Sequence, residues 1–143
     1  MPPDGRSDDV VCRIAAGELP AEVIWQDERS IAFLDHSPLF KGHVLVAPVA
    51  HVADLTALPE SAVAALFGLV RRVAITLPVA LGCQGSFTAV NTVVSQSIPH
   101  LHVHVVPRTK GDGLRGFFWP RQRYAPEEAA RYGALLREVL AGD

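Results

Sequence analysis

The stretch HLHVHVV at residues 100–106 decides the fold, because polar and apolar residues alternate through it. Successive side chains of a β-strand point to opposite faces of a sheet, so the pattern predicts a strand with three imidazoles on one face. Neighbouring imidazoles would stand roughly 6.7 Å apart along the backbone. Leu101, Val103 and Val105 would face the hydrophobic core on the other side. A row of titratable groups on one strand face is costly unless the protein uses it.

Three interpretations of this histidine row are open. The first is a solvated sheet face, which the composition gives no reason to expect. The second is a metal site, because histidines at alternate positions can share one ion. Such a site would need further ligands, and the chain offers four: Asp35, His36, His43 and His51. The third is nucleophilic catalysis at phosphorus, since a neutral imidazole attacks phosphate esters and flanking histidines can donate hydrogen bonds to the phosphoryl oxygens.

Hydrophobic periodicity around this strand predicts the remaining elements. The predicted strands are residues 22–26, 30–34, 43–48, 86–90 and 101–106. The predicted helices are residues 8–16 with Ser7 as the cap, a helix that starts at Pro59 and ends before Pro78, and residues 126–140. The polar connection at residues 27–29 is too short for a parallel crossover, so its flanking strands must be antiparallel. The pattern therefore predicts an α+β domain, with an antiparallel sheet of about five strands and helices packed on one face.

Composition excludes several classes of protein. The chain has 143 residues, of which 49% are hydrophobic and 20% charged, and its net charge is −2. This size predicts a single domain over residues 1–143, and the charge predicts no nucleic-acid or membrane partner. No run approaches the ~20 apolar residues of a membrane span, and the acidic N-terminus is not a signal peptide. Cys12 and Cys83 make no disulfide framework, which favours a reducing, cytoplasmic location.

Three blocks of sequence resemble one family. Residues 96–108, QSIPHLHVHVVPR, are similar to the signature of the histidine triad (HIT) family of nucleotide hydrolases and transferases. FLDHSP at 33–38 and GHVLVAP at 42–48, followed by His51, resemble the nucleoside-binding half of that family. CRIAAGELP at 12–20 resembles its N-terminal helix. The resemblance covers residues 12–108, and residues 109–143 would form a C-terminal loop and helix.

The resemblance implies a mechanism with a covalent intermediate. His102, the middle histidine, would attack the α-phosphorus of a nucleotide and form a nucleotidyl-histidine, which water or another acceptor then cleaves. This divides one difficult displacement into two easier ones. His104 would donate hydrogen bonds to the phosphoryl oxygens, and His100 would orient the site. His43 matches a fourth family histidine, which would lie next to the triad and support it without contacting the substrate.

The resemblance also assigns the nucleotide-binding residues. Asp35 would receive the ribose hydroxyls, because a carboxylate offers two acceptor oxygens; the alternative is that it caps the turn at Ser37-Pro38. An apolar base slot would be formed by Ile31, Phe33 and Leu45, for each of which plain core packing is the alternative. Three polar residues would lie beside the phosphates and the leaving group: Asn91, Gln96 and Ser97.

The chain departs from the family pattern at two places. The loop at residues 91–96 contains no glycine, although family members carry glycines that let backbone N–H groups approach phosphate closely. Many relatives hold a structural zinc with a Cys-x-x-Cys pair and two histidines. Here Asp9 takes the first position, and the others are held by Cys12, His51 and His100. We expect that no cofactor is required and that this weakened zinc site is not occupied.

A basic, aromatic segment follows the histidine strand. Residues 108–123 hold five basic side chains, Arg108, Lys110, Arg115, Arg121 and Arg123, against the single acid Asp112. The aromatic side chains in and beside the segment are Phe117, Phe118, Trp119 and Tyr124. Such a mixture suits phosphates and a stacked base, or it anchors a surface loop at a dimer interface. Family members are commonly homodimers, and the resemblance implies one here.

The sequence thus predicts a cytoplasmic, homodimeric nucleotide hydrolase that acts at the α-phosphate of a purine nucleotide and releases a nucleoside monophosphate. Nucleoside phosphoramidates and diadenosine polyphosphates both fit as substrates. The family's uridylyltransferase branch usually has glutamine in place of the third histidine, so His104 argues against that branch. Three alternatives stay open: a dinucleoside polyphosphate phosphorylase, a nucleotide-binding regulator with negligible turnover, and a metal-dependent hydrolase.

Overall fold

Five strands pair in one antiparallel sheet. They are β1 (Val23–Gln26), β2 (Ser30–Leu34), β3 (Val44–Pro48), β4 (Gly85–Ala89) and β5 (Val103–Arg108). Their order across the sheet is β1-β2-β3-β5-β4. The computed structural model describes residues 8–114 and 121–142. The predicted α+β class with a five-stranded antiparallel sheet is confirmed.

The strand predictions are accurate to within two residues. Strand β2 lies at its predicted residues, and β1, β3 and β4 differ from theirs by one residue. The connection between β1 and β2 is a polar hairpin in which Asp27 Oδ1 accepts the N–H groups of Arg29 and Ser30 at 2.8 and 2.9 Å. Strand β5 begins two residues later than predicted, so His100 and His102 precede the regular strand.

The first two helices lie on opposite faces of the sheet, which corrects the prediction that all helices pack on one face. Helix α1 (Val10–Ala15) and helix α2 (Glu60–Leu81) belong to two separate hydrophobic clusters. In β2, Ile31 packs in the cluster of α1, whereas its neighbour Ala32 packs in that of α2. Strand β3 is buried along its whole length, so both faces of the sheet centre are apolar and both need a cover.

Helix α2 runs to Leu81, so the prediction that it ends before Pro78 is wrong. Pro78 lies in the last turn, where it removes one hydrogen bond to the preceding turn without ending the helix. The helix ends at Gly82, whose φ of 75° is left-handed and whose N–H donates to the Pro78 carbonyl oxygen. This is the usual glycine stop of a helix.

Helix α2 is also long and apolar enough to cross a membrane by length and composition alone, which corrects the expectation that no segment approaches that length. The charged pair Arg71-Arg72 interrupts the apolar run without ending the helix. Core helices of soluble proteins pass the same test, so the finding is weak evidence for a membrane. The buried stripe of α2, which includes Leu66, Val70 and Val73, packs with the sheet.

Helix α1 begins at Val10 because Asp9 is its N-cap. The Asp9 Oδ1 atom accepts the N–H of Cys12 at 2.8 Å, which satisfies one of the free donors at a helix start. The predicted cap Ser7 lies outside the described residues. The Asp9 carboxylate therefore defines where the helix starts, and its second oxygen stays available for other partners.

The chain divides into two compact units, residues 1–112 and 113–143. The second unit contains helix α3 (Glu128–Ala141), which starts two residues later than predicted, after Glu127 with a φ of 68°. One face of α3 carries exposed apolar side chains: Tyr132, Leu135, Leu136, Val139 and Leu140. The assignment of residues 1–143 to one domain stays a prediction.

Candidate functional site

A cleft of about 1040 Å³ opens in the first unit, on the face of the sheet that α1 covers. One part of its lining is apolar and includes Val10, Ile14, Leu19, Phe33, Leu45 and Ile98. Another part is polar and consists of Asp35, His36, Ser37, Ser97, His102 and His104. The cleft thus combines an apolar pocket with a polar group of side chains, as small-molecule sites of proteins generally do.

His102 is held in one tautomer by a backbone hydrogen bond. Its Nδ1 atom lies 2.7 Å from the carbonyl oxygen of His100, and a carbonyl oxygen can only accept. Nδ1 therefore carries the proton, and Nε2 of the neutral ring keeps its lone pair. His102 also lines the cleft, so the structure places an imidazole with an available lone pair among the polar residues of its lining.

A chain of donors fixes the protons of two further histidines. The N–H of Leu39 donates to Nδ1 of His43 at 3.1 Å, so His43 carries its own proton on Nε2. That Nε2 lies 2.9 Å from Nδ1 of His104, which must then accept. The neutral ring of His104 is left with an Nε2–H donor, and its ring centroid lies 5.1 Å from that of His102. The pair therefore offers one lone pair, on His102, and one hydrogen-bond donor, on His104, side by side.

Burial keeps both supporting rings neutral. Burial, with smaller effects of the neighbouring His102 and His43, lowers the pKa of His104 to about 4. The pKa of His43 is also lowered, chiefly by burial, and Asp35 opposes that effect. Neutral rings agree with the donor chain, in which each imidazole accepts at one nitrogen and donates at the other.

Asp35 performs the turn-capping role that was one of its two predicted roles. Its Oδ1 accepts the N–H of Ser37 at 2.9 Å, and its Oδ2 lies 3.8 Å from Nδ1 of His43. The side chain also lines the cleft. A carboxylate has lone pairs beyond those that a turn uses, so the ribose-binding role stays a prediction that is compatible with the cap.

Two of the three residues predicted for the base slot line the cleft. Phe33 and Leu45 line the cleft, but Ile31 does not and is fully buried beneath α1. Sequence reasoning missed the wall formed by α1 and the turn after it, including Val10, Ile14 and Leu19. The block at residues 12–20 was the available signal, because its family counterpart is the N-terminal helix.

The loop at residues 91–97 contains no glycine, and two of its residues adopt a strained backbone conformation. Val93 and Ser95 have φ values of 67° and 63°, a left-handed region in which a β-branched residue is a rare outlier. Of the three predicted phosphate-side residues, Ser97 lines the cleft. Asn91 is exposed and does not line it.

Gln96 holds this loop through hydrogen bonds to backbone groups. Its Oε1 accepts the N–H of Val93 at 3.0 Å. Its Nε2 donates to the carbonyl oxygens of Ala53 and Ile98 at 2.7 and 3.0 Å. Both donors of the amide are thus engaged within the protein, so the geometry favours a positioning role over direct contact with a nucleotide.

A second cluster joins α1 to the start of the histidine segment. Asp9 Oδ2 lies 2.8 Å from Nδ1 of His51 and 3.1 Å from Nδ1 of His100. The Cys12 Sγ atom lies 3.5 and 3.9 Å from those two nitrogens of His100 and His51. His100 is turned away from the cleft, with its Nε2–H donating to the Pro48 carbonyl oxygen at 2.8 Å. The three imidazoles of residues 100–104 therefore do not face one common space.

The donor atoms of this cluster fit a zinc-class cation. In a neutral His100 ring, Nδ1 is an acceptor that faces an acceptor oxygen of Asp9, and a cation between them would satisfy both. Carboxylate, thiolate and imidazole are all zinc ligands, and four protein ligands make a closed, structural site. The carboxylate oxygen of Asp9 in place of a second cysteine sulfur makes this group of ligands less favourable for a soft metal ion. Whether the site is occupied stays a prediction, and our expectation is that it is not.

The other metal interpretation fits the geometry less well. Ligand atoms of Asp35, His43 and His104 lie within 4.8 Å of one another. However, Nδ1 of His43 already accepts from Leu39, and its Nε2 lies within hydrogen-bond distance of His104. A metal here would have to displace two hydrogen bonds of a buried ring.

The basic, aromatic segment is only partly described. Arg108 forms an ion pair with Asp112, with N–O distances of 2.6 and 3.1 Å. Arg115 and the aromatic residues 117–119 lie outside the described residues. Tyr124 is exposed and stacks edge-on with Tyr132 in the second unit. The predicted phosphate-binding or interface role of the segment therefore stays a prediction.

Comparison with known sequences finds related proteins. A family model described as the HIT domain matches residues 16–111. A HIT-like protein of Mycobacterium tuberculosis is 36% identical over 134 residues, which cover 92% of this chain and 92% of the relative. Adenosine 5′-monophosphoramidase of Schizosaccharomyces pombe is 30% identical over 133 residues, which cover 92% of this chain and 97% of the relative.

Solved structures have the same fold. The crystal structure of a HIT family member from Bacillus subtilis is 30% identical, has a TM-score of 0.84, and the match covers 92% of this chain and 96% of that one. A zinc-bound histidine triad family protein from Mycobacterium smegmatis is 32% identical, with a TM-score of 0.72 and coverage of 95% and 98%.

We predict that Gln96→Ala lowers the free energy of unfolding by about 1–3 kcal/mol, because the side-chain hydrogen bonds that join the strained loop to Ala53 and Ile98 are lost. The matched variant Val93→Gly should stay within about 0.5 kcal/mol of wild type, since glycine adopts the left-handed conformation without strain. Urea unfolding measures both variants. A Gln96→Ala protein as stable as wild type would contradict the positioning role.

We also predict that the free energy of unfolding decreases as the pH falls from about 6.5 to about 4. The unfolded chain binds a proton at His104 near the ordinary pKa of 6.5, whereas the folded protein does so near the lowered pKa of about 4. Above this window both states are neutral at His104, and below it both are protonated. His104→Gln should show a shallower decline in urea titrations at pH 7, 6 and 5. Equal slopes for variant and wild type would argue against a buried neutral ring.

Proposed function

Because the chain belongs to the histidine triad family, we propose that it hydrolyses a purine nucleotide at the α-phosphate with His102 as the nucleophile. The observation that carries the proposal is the 2.7 Å bond from His102 Nδ1 to the His100 carbonyl oxygen. It leaves Nε2 unprotonated in a cleft whose apolar part suits a nucleoside. An activated nucleophile beside a preformed donor is the arrangement that covalent catalysis needs.

In the first step, His102 Nε2 attacks the α-phosphorus, and the leaving group departs with the electrons of its bond to phosphorus and takes up a proton from solvent, so that a phosphoramidate releases ammonia. The ring gains positive charge, which strengthens the bond from Nδ1–H to the His100 carbonyl oxygen. In the second step, water attacks the same phosphorus and gives up a proton to solvent, and the bond to Nε2 breaks with its electrons returning to the ring, which restores the neutral ring. The product is a nucleoside monophosphate.

His104 would stabilise the charge that develops on the phosphoryl oxygens. Its Nε2–H is set in place by the hydrogen bond that Nδ1 accepts from His43, so no reorganisation is needed during the reaction. The lowered pKa of His104, about 4, keeps the ring a neutral donor.

The charge of the cleft favours a nucleoside phosphoramidate over a diadenosine polyphosphate. Among its described lining residues there is no lysine or arginine, and the ionisable ones are Glu22, Asp35 and histidines. A polyphosphate chain carries several negative charges, which proteins usually meet with basic side chains. A phosphoramidate carries one substituted phosphate. The S. pombe relative, named adenosine 5′-monophosphoramidase, supports the same choice.

We propose that turnover requires no metal, because the described histidines supply both the nucleophile and the donor. A cation held by Asp9, Cys12, His51 and His100 would have a structural role, tying α1 to the sheet. We further propose a cytoplasmic homodimer. The chain has two cysteines, too few for a disulfide framework. Strand β4 is an edge strand of the sheet, and α2 exposes Val63, Phe67 and Ile75. Such an edge and apolar face suit a second copy of the chain.

The test follows the conversion of adenosine 5′-phosphoramidate and of diadenosine tetraphosphate by chromatography. Wild type should release AMP faster from the phosphoramidate. His102→Ala should lose turnover by about 10³-fold or more while still binding AMP by calorimetry. Wild type treated with a chelator should keep its rate, and elemental analysis of the same sample reports its metal content.

Each other outcome identifies an alternative. Loss of turnover with the chelator would contradict the metal-free mechanism and favour a metal-dependent hydrolase. Faster cleavage of diadenosine tetraphosphate would contradict the substrate choice, and a further rate increase with inorganic phosphate would indicate a phosphorylase. Binding of AMP without turnover of either compound would favour a nucleotide-binding regulator.

A further inference from the structure

The apolar wall of the cleft carries one ionisable side chain, Glu22. The wall is formed by α1 and by residues 19–22, which lead from that helix into β1. Its other described lining residues are Val10, Ile14, Leu19, Pro20 and Ala21, and none has a polar side chain. The histidines, serines and Asp35 of the lining come from other segments of the chain. Glu22 is therefore the polar side chain that a base on this wall would meet.

The position of Glu22 is set by the sheet. Its carbonyl oxygen accepts the N–H of Leu34 at 3.0 Å, and the next residue, Val23, pairs with Phe33. Phe33 is one of the apolar residues that line the cleft. The Glu22 side chain thus stands at the cleft beside the strand that supplies both Phe33 and Asp35, where the edge of a bound base can reach it.

A carboxylate distinguishes between the two purine bases. It only accepts hydrogen bonds. The Watson–Crick edge of guanine presents two adjacent donors, N1–H and the 2-amino group, which match the two oxygens of one carboxylate. Adenine presents one donor, the 6-amino group, beside N1, whose lone pair repels the carboxylate. The apolar wall itself discriminates only by size, since contacts with apolar groups reject a polar analogue weakly.

We infer that Glu22 is a specificity-determining residue that makes the protein prefer guanine over adenine nucleotides. The inference rests on the proposed function, because it concerns the base of the same nucleotide substrate. Glu22 would act through the base and take no part in the chemistry at phosphorus. The preference therefore belongs to binding, and it extends to the nucleoside monophosphate product.

The experiment compares guanosine, inosine and adenosine 5′-phosphoramidates as substrates, and GMP, IMP and AMP as ligands in calorimetry. Wild type should favour guanosine over adenosine by about tenfold in kcat/KM, the value of one charged hydrogen-bond pair. The difference should lie in KM, with a matching ratio of Kd values. Inosine, which keeps N1–H and lacks the 2-amino group, should fall between the two.

Glu22→Gln tests the residue directly, because an amide both donates and accepts and so also matches adenine. The ratio of guanosine to adenosine should fall about tenfold in this variant. The control is Glu28→Gln, which removes the same charge from the exposed turn between β1 and β2, outside the cleft lining. It should leave the ratio unchanged.

Equal or adenine-favouring values for wild type would overturn the inference, and so would an unchanged ratio in Glu22→Gln or an equal change in Glu28→Gln. The binding arm separates this inference from the proposed function. A protein that turns over no phosphoramidate but binds GMP more tightly than AMP, and loses that preference in Glu22→Gln, refutes the proposed hydrolase and supports the role of Glu22.

Discussion

The hydrogen bond from His102 Nδ1–H to the carbonyl oxygen of His100 is the constraint on which the site depends. It spans 2.7 Å between residues two positions apart, and it determines which nitrogen of His102 is free. The accepting carbonyl belongs to a residue whose own Nε2–H donates to the Pro48 carbonyl oxygen and whose Nδ1 lies 3.5 Å from Cys12 Sγ. The proposed nucleophile is therefore oriented by contacts that reach the end of β3 and helix α1.

Helix α1 serves two sites at once despite its six residues. Val10 and Ile14 line the cleft, while Asp9 and Cys12 face the buried histidines of the second cluster. Any loosening of that cluster would move a wall of the cleft, although no atom of the cluster contacts phosphorus in the proposed mechanism. The strain of the loop at residues 91–97 is likewise balanced at a distance, by the bond from Gln96 to Ala53.

Short-range patterns predicted much of this architecture. The alternation in residues 100–106 correctly assigned Leu101, Val103 and Val105 to the core, and the tight polar turn at 27–29 correctly required antiparallel strands. Sequence patterns could not predict how side chains from distant segments are oriented towards one another. The donor chain through His43 and His104 joins residues 61 positions apart. Which nitrogen donates and which accepts in that chain depends on one backbone N–H, that of Leu39. Neither is encoded in any local pattern.

The errors have the same physical origin. All helices were placed on one face because a buried strand such as β3 does not reveal which of its two apolar faces each helix covers. Residue type alone also cannot show that the amide of Gln96 is already satisfied by backbone partners, and its place beside the phosphates stays a prediction. Ile31 was assigned to the base slot although it packs beneath α1, since an apolar side chain that lines a pocket and one that fills the core look alike in sequence.

The central claim is that the reaction at phosphorus proceeds through a covalent bond to His102, and stereochemistry tests it most directly. Each in-line displacement inverts the configuration at phosphorus, so two displacements restore it. A guanosine phosphoramidate made chiral at phosphorus by sulfur would be hydrolysed in oxygen-18 water and its product configuration determined. The account predicts retention of configuration. Inversion would show a single direct attack by water and would contradict it.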